Sequence, residues 1–266
     1  MIEQIDLDHV AVAAERMADL WPRYAGDLAG KYEGGGWTPG FLSAQVSYAN
    51  GMRLEVLEPH KPEDNDFLRR FIDRNGPGPH HLTFKVGDIR AAIAAAEAAG
   101  YPPVSVNLSD PGWQEAFLHP KAAHGVVVQM AQSSGEGDWG GLPAEGLPPP
   151  RTAGPASLDR VVLAVADLDG AQRMFADLLG GHVIDDDVDA SGTWVDLAWP
   201  GPGRVRLVRP PAGDPWLGDR AGRMRHLAFT TDDPAAVPGA VARGDGTFEV
   251  PPEANLGTRL LLFPPV

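Results

Sequence analysis

The chain has 266 residues, 43% of them hydrophobic and 22% charged, so it is long enough for two ordinary globular domains. Its net charge of −14 argues against partners with dense negative charge, namely nucleic acids and anionic membrane surfaces. The absence of cysteine excludes disulfides, thiolate nucleophiles and thiolate metal sites.

The first residues lack the basic and apolar regions of a signal peptide, and no apolar run is long enough to span a bilayer. We therefore expect a cytoplasmic protein that acts on a small molecule. A homodimer and a monomer are both compatible with the sequence.

A strand followed by a helix opens the chain and recurs three times. The strand at 80–86 alternates apolar and polar residues, which is typical of a half-buried strand, and the other three opening strands are similar units. These strands begin near Leu7, His80, Leu158 and Arg225. A spacing of roughly 65–80 residues between such units indicates four internal repeats.

The first repeat predicts a strand over 5–13, then a helix from Glu15 to about Leu28. A break at Gly34–Gly36 follows, and then two strands are joined by the turn at 49–51. A helix over 65–74 leads to the second repeat. That repeat predicts a strand containing His81, a helix capped by Asp88, and three further strands that end near Met130.

The stretch 133–156 is rich in glycine, proline and serine and predicts an inter-domain linker between 1–132 and 157–266. The third repeat spans about 157–210. The fourth repeat predicts a helix around Ala235 to Arg243. Its segment 260–265 resembles 115–120, which precedes one further strand in the second repeat. We therefore expect the second domain to lack its last strand.

Four segments together carry a resemblance to a known superfamily. They are LDHVAVA (7–13), EVLEP (55–59), PHHLTFKVGDI (79–89) and FLHPK (117–121). The chain resembles the vicinal oxygen chelate superfamily of glyoxalases, bleomycin-resistance proteins and extradiol dioxygenases, and 1–132 is most similar to methylmalonyl-CoA epimerases. The resemblance covers nearly the whole chain. It implies an α+β fold of tandem βαβββ modules, in two domains that each form a cupped mixed sheet with outer helices.

In this superfamily the cup holds a divalent metal, and the resemblance places the ligands at His9, Glu55, His81 and Gln129. The intervals agree with a repeat, because His9 and His81 are 72 residues apart and Glu55 and Gln129 are 74 apart. Imidazole and carboxylate groups suit Fe, Mn, Co, Ni or Zn, and the sequence does not choose among them. A simpler interpretation of each histidine alone is a half-buried strand residue satisfied by hydrogen bonds. His80 must face away from His81, so only one of the two can reach the cup.

The two proton-transferring carboxylates of the epimerases correspond to Gln45 and Gln129 here. An amide cannot cycle a proton at neutral pH, so the resemblance does not favour α-proton epimerisation. It leaves dioxygenase-, lyase- or isomerase-type chemistry on a small oxygenated substrate. His9, His81 and Glu55 form the two-histidine-one-carboxylate set that holds Fe(II) in some oxygenases.

The catalytic residues are not assigned by the sequence, but three residues are expected to contact substrate. Gln45 lies at an epimerase base position, Trp113 can line the mouth of the cup, and Lys121 can meet a substrate anion. The structural alternatives are core packing for Trp113 and a turn cap for Lys121.

The second domain has Arg160 and Arg206 at two ligand positions and retains only His226. Arginine stays protonated and cannot ligate a metal, so this domain is expected to cover the first or to form an interface. The alternative is an anion pocket lined by Arg160, Arg206 and Arg209. For the whole protein, the alternative function is a metal-free small-molecule binding protein of the antibiotic-resistance type. The retained His9 and His81 favour the metalloenzyme.

Overall fold

The first sheet is formed by the first two repeats in the computed structural model, which describes residues 2–134, 146–152 and 154–265. Its strands are β1 (Ile5–Ala13), β2 (Lys31–Thr38), β3 (Phe41–Ser47), β4 (Arg53–Pro59), β5 (Gly78–Val86), β6 (Val104–Asp110), β7 (Trp113–Leu118) and β8 (Val127–Ser133). They lie in the order β2-β3-β4-β1-β5-β8-β7-β6. The opening strands of the two repeats therefore lie side by side at the centre of the sheet.

The strands β3 and β4 form the predicted hairpin. The turn between them contains Gly51 with a φ of 85°, a conformation that glycine adopts without steric cost. The Asn50 side chain accepts a hydrogen bond from the Met52 N–H at 3.2 Å and so stabilises the turn. This register pairs Gln45 directly with Glu55.

Two helices in this half form where the sequence predicts them, α1 (Phe67–Asn75) and α2 (Ile89–Ala98). The Asp88 carboxylate accepts hydrogen bonds from the first backbone N–H groups of α2, as an N-cap should. Leu68 and Ile72 lie one turn apart on α1 and pack in one buried cluster with residues of β1 and β4. The helix α1 therefore covers one end of the strands at the centre of the sheet.

Two predictions for the first repeat are wrong. Residues 15–28 do not form an α-helix but a 3₁₀ turn (Met17–Asp19) and a π-helical turn (Pro22–Asp27), because Pro22 cannot donate a hydrogen bond to a preceding turn. The glycines 34–36 do not break the chain but lie inside β2. A Cβ atom at Gly35 would lie 2.6 Å from the Ser43 carbonyl oxygen, so glycine permits the close approach of β2 to β3.

The second sheet is formed by the third and fourth repeats and has the same plan. Its strands are β9 (Ser157–Val165), β10 (His182–Asp189), β11 (Gly192–Ala198), β12 (Arg204–Arg209), β13 (Gly222–Thr230), β14 (Val241–Ala242), β15 (Phe248–Val250) and β16 (Leu260–Phe263). They lie in the order β10-β11-β12-β9-β13-β16-β15-β14. Helix α3 (Leu168–Gln172) continues into a π-helical turn (Arg173–Leu178). Two mixed sheets with few helices confirm the predicted α+β fold.

The prediction that the second domain lacks its last strand is wrong. The strand β16 pairs in parallel with β13, just as β8 pairs in parallel with β5. The fourth repeat is instead shortened in its middle. The helix predicted around Ala235 to Arg243 is only a 3₁₀ turn, Pro234–Ala236, because Pro238 and Gly239 interrupt it. The similarity of 260–265 to 115–120 therefore compared β16 with β7, and these two strands are not equivalent in their sheets.

Each sheet comes from one side of the predicted linker, but the compact units of the chain are composed differently. One unit groups most of the second repeat with Arg160–Arg225, and the other groups Val10–His80 with the fourth repeat. The predicted domain limits therefore stay a prediction, and residues 135–145 and 153 of the predicted linker lie outside the described residues. None of the described helices is long and apolar enough to cross a membrane.

Candidate metal centre

Three adjacent strands at the centre of the first sheet bring two histidines and a glutamate together. His9 lies on β1, Glu55 on β4 and His81 on β5, and these strands are neighbours in the order β4-β1-β5. One potential ligand atom from each residue lies within 4.8 Å of the other two. All three side chains are buried, with exposures of 1%, 8% and 5%. The arrangement is compact enough for one ion to contact all three.

The ring of His9 is oriented by the residue that precedes it in the sequence. His9 Nδ1 lies 2.7 Å from Asp8 Oδ2. A carboxylate in this position favours the tautomer with the proton on Nδ1, which leaves a lone pair on Nε2 for a metal. The His9 and His81 rings have centroids 5.9 Å apart and meet edge to face at 67°.

The fourth predicted ligand, Gln129, makes two hydrogen bonds. Its amide oxygen accepts a hydrogen bond from Thr83 Oγ1 at 2.6 Å, and its Nε2 donates to Glu115 Oε2 at 2.6 Å. The amide oxygen is the atom that would ligate a metal, and here it is bound to a hydroxyl. The role of Gln129 as a ligand therefore stays a prediction, and the geometry favours the three-residue set.

The sequence reasoning missed Glu115, which adds a carboxylate to this face of the sheet. Glu115 Oε2 also accepts a hydrogen bond from the Trp113 indole N–H at 2.8 Å. The Phe117 ring lies 6.3 Å from the His81 ring. Because strand residues alternate, Glu115 and Trp113 share the face of Phe117 and therefore of His81. The alternation of Trp113, Glu115 and Phe117 is the signal in the sequence that predicts a shared face for these three side chains.

The predicted substrate-contacting residues are found in different surroundings. Gln45 is buried and lies opposite Glu55 in the strand register, which places their Cβ atoms about 5 Å apart. Trp113 is half-buried, and the Lys85 ammonium lies 4.2 Å from its ring centroid. Lys121 is exposed in the turn after β7, and no contact within the described residues joins it to the metal ligands.

His80 does not contribute to the metal centre. Its ring contacts Phe71 and Phe67 of α1, with centroids 4.6 and 5.6 Å away. Burial in this aromatic environment lowers the pKa of His80 to about 4, so the ring is neutral at physiological pH. The prediction that only one of the two adjacent histidines reaches the site agrees with these contacts.

The equivalent face of the second sheet has no comparable group of ligands. Within residues 2–134, 146–152 and 154–265, His9, Glu55 and His81 are the one set of three such side chains close enough to share an ion. Arg160 and Arg206 occupy the positions of His9 and Glu55 and form ion pairs with Asp196.

The comparisons with known proteins agree with this fold. Residues 8–117 match the family model of the Glyoxalase/Bleomycin resistance protein/Dioxygenase superfamily. A hypothetical protein from Staphylococcus aureus shares the fold over 98% of this chain and 100% of its own length, with 11% identity and a TM-score of 0.61. No curated protein matches the sequence.

Shorter solved structures align with about half of the chain. A hypothetical protein from Bacillus halodurans C-125 is 27% identical, with a TM-score of 0.46 over 51% of this chain and 99% of its own. A Streptomyces coelicolor methylmalonyl-CoA epimerase variant, in complex with 2-nitronate-propionyl-CoA, is 24% identical. Its TM-score is 0.43 over 48% of this chain and 97% of its own.

Proposed function

We propose that this protein is a metal-dependent enzyme that binds a small oxygenated substrate at a centre formed by His9, Glu55 and His81. The observation that carries the proposal is the convergence of two imidazoles and one carboxylate within 4.8 Å on three neighbouring strands. Imidazole nitrogens and carboxylate oxygens are common ligands of divalent metals, and one cation at this place could bind Glu55 and both rings.

The donor set fits a borderline divalent ion. Imidazole nitrogen and carboxylate oxygen suit Fe, Mn, Co, Ni and Zn, whereas the chain offers no thiolate. Three protein ligands leave coordination positions for two adjacent substrate oxygens. When bound, such an ion supplies a Lewis acid for a developing enolate or, as iron, a centre for O₂ chemistry.

Other residues near the three ligands orient the ligands and the substrate. Asp8 holds the His9 ring through Nδ1. Glu115 is held in position by hydrogen bonds from Trp113 and Gln129. A fixed carboxylate there can accept a hydrogen bond from a substrate hydroxyl group. Gln45, next to Glu55 in register, can donate an amide N–H to a substrate oxygen.

The reaction class that we propose is dioxygenase, lyase or isomerase. Gln45 and Gln129 occupy the positions that correspond to the carboxylate bases of methylmalonyl-CoA epimerases, so proton exchange at the α-carbon of methylmalonyl-CoA is not expected. Incorporation of solvent deuterium into that substrate by metal-loaded protein would show that another group, with Glu115 the first candidate, acts as the base.

The decisive experiment is a metal analysis with a matched pair of variants. Protein purified without chelators, or reconstituted anaerobically with Fe(II), should hold one ion per chain. His81→Ala should lose the ion because it removes one of three ligands. His226→Ala removes the histidine at the equivalent place in the second sheet, and this variant should retain the ion. Oxygen uptake with catechols and vicinal diols then tests whether the iron-loaded protein acts as a dioxygenase.

Two results would contradict the proposal. The first is wild-type protein that holds no stoichiometric ion after reconstitution with Fe, Mn, Co, Ni or Zn. The second is equal metal loss in His81→Ala and His226→Ala. The first result, combined with saturable binding of an apolar molecule, would support a metal-free binding protein instead.

A further inference from the structure

The second sheet carries a cluster of charged side chains at the place where the first sheet carries its metal ligands. Arg160 on β9 and Arg206 on β12 occupy the positions of His9 on β1 and Glu55 on β4. Asp196 pairs with Arg206 in the register of β11 and β12, as Gln45 pairs with Glu55 in the first sheet. Guanidinium groups therefore replace the residues that would hold a cation.

One carboxylate holds both arginines. Asp196 Oδ2 accepts hydrogen bonds from Arg160 Nη1 at 2.9 Å and Arg206 Nη2 at 2.6 Å, and Asp196 Oδ1 accepts from Arg206 Nε at 2.7 Å. The Arg206 guanidinium also lies 3.5 Å from the centroid of the Trp194 ring. A two-point ion pair on one edge and an aromatic ring against one face fix the orientation of Arg206.

The cluster is positively charged and accessible. Two guanidinium groups and one carboxylate leave one positive charge among Arg160, Arg206 and Asp196. The nearby Asp189, which accepts a hydrogen bond from the Trp194 indole, interacts with Arg206 electrostatically, but it is exposed, so solvent weakens this interaction. The Arg160 side chain is 33% exposed and that of Arg206 is 21% exposed, so a solute can reach both.

We propose that the Arg160–Arg206 pair binds a small carboxylate or phosphate without a metal. The bonds to Asp196 leave most N–H donors of both guanidinium groups available within the described part of the chain, and the planar fork of arginine matches two oxygens of an oxyanion. Arg206 contacts the ligand in a fixed orientation, and Arg160 contacts the ligand from the neighbouring strand β9. Arg209, which the sequence also suggested, is exposed at the end of β12 and is not part of this pair.

The test is calorimetric titration of the full chain with malonate and with inorganic phosphate, after metal has been removed with EDTA and the EDTA has been dialysed away. The wild type should bind one of these probes saturably, with one site per chain. Arg160→Gln and Arg206→Gln should each weaken binding about 10-fold or more, because each removes charge and donors from the pair. Arg209→Gln removes one positive charge from β12, the strand that carries Arg206. This variant should bind the probe as the wild type does.

Further variants separate this site from the metal centre and from general loss of structure. His81→Ala should leave anion binding unchanged, because the two sites share no residue. Arg160→Gln keeps the two-point pair of Arg206 with Asp196, so it reports on binding even if Arg206→Gln unfolds. The proposal is overturned if neither probe binds the wild type saturably. It is also overturned if Arg209→Gln weakens binding as much as the other two, since binding would then follow surface charge alone.

Discussion

At the scale of single residues, the neighbours of each ligand determine what the metal centre can do. Asp8 and His9 are adjacent in sequence, yet the Asp8 carboxylate contacts Nδ1 of the His9 ring at 2.7 Å. Outer residues of this kind raise the basicity of a histidine ligand and fix its tautomer. The position of Nε2 in the centre therefore depends on a residue that is not itself a ligand.

Asp8→Asn should lower the affinity for the metal about 10- to 100-fold, because the amide keeps the size of the side chain but loses its charge. Competition with a chromogenic chelator measures the change. Asp159→Asn is the matched control, because Asp159 precedes Arg160 in the second sheet as Asp8 precedes His9, and it accepts a hydrogen bond from Thr230. Equal metal affinity in Asp8→Asn and the wild type would show that Asp8 does not orient the ligand.

At the scale of elements, the segment after the fourth strand of each sheet closes one end of the functional face. In the first sheet it is α1, whose Leu68 clusters with Ala11 and Leu57. In the second sheet it is an irregular loop, in which Trp216 and Leu217 pack against a buried cluster that includes Val162 and Val208. A helix therefore packs against the buried cluster of the first sheet, and a loop packs against that of the second sheet.

Leu68→Ala should lower the free energy of unfolding by about 2–5 kcal/mol, since the side chain is fully buried and leaves a cavity. It should also weaken metal binding, because Ala11 and Leu57 follow His9 and Glu55 by two residues on the same strand faces. Urea unfolding and metal titration measure the two effects. Leu217→Ala should destabilise the protein without changing metal affinity. A Leu68→Ala protein with unchanged stability would show that α1 does not support the sheet.

At the scale of the whole molecule, a buried polar cluster connects the first and fourth repeats within one compact unit. The Arg23 guanidinium donates to Asp27 Oδ2 at 2.8 Å, to Asn255 Oδ1 at 3.2 Å and to the Pro238 carbonyl oxygen at 2.7 Å. The Arg23 and Asp27 side chains are only 9% and 5% exposed. One arginine therefore satisfies polar groups that lie more than 200 residues apart in the sequence.

Arg23→Met should lower the free energy of unfolding by about 3 kcal/mol, the low end for a broken buried pair, because Asp27 loses Arg23 but keeps its ion pair with Arg151. Arg16→Met removes an exposed ion pair with Asp19 and should cost less than about 1 kcal/mol. Denaturant unfolding measures both changes. The double variant Arg23→Met with Asp27→Leu should recover part of the loss. If Arg23→Met and Arg16→Met have equal effects, the buried cluster does not stabilise the unit.

The sequence by itself determined the features that depend on local pattern. Period-2 alternation located the strand at 80–86, and similar segments located the other opening strands. The Asp88 cap located α2, and the similar spacings of His9 to His81 and Glu55 to Gln129 indicated repeated modules. The resemblance then placed His9, Glu55 and His81 together, and the structure brings these three side chains within reach of one ion. These features are encoded in short stretches of chain or in regular intervals between them.

Only the tertiary structure decided the features that depend on strand register. The strands β14 and β15 have two and three residues, too few to show alternation, so β16 could not be recognised as the last strand. The hydrogen bond between Gln129 and Glu115 and the sharing of Asp196 by two arginines join different strands. Such contacts require a pairing register that local sequence does not specify, since a shift of one residue would turn each side chain to the opposite face.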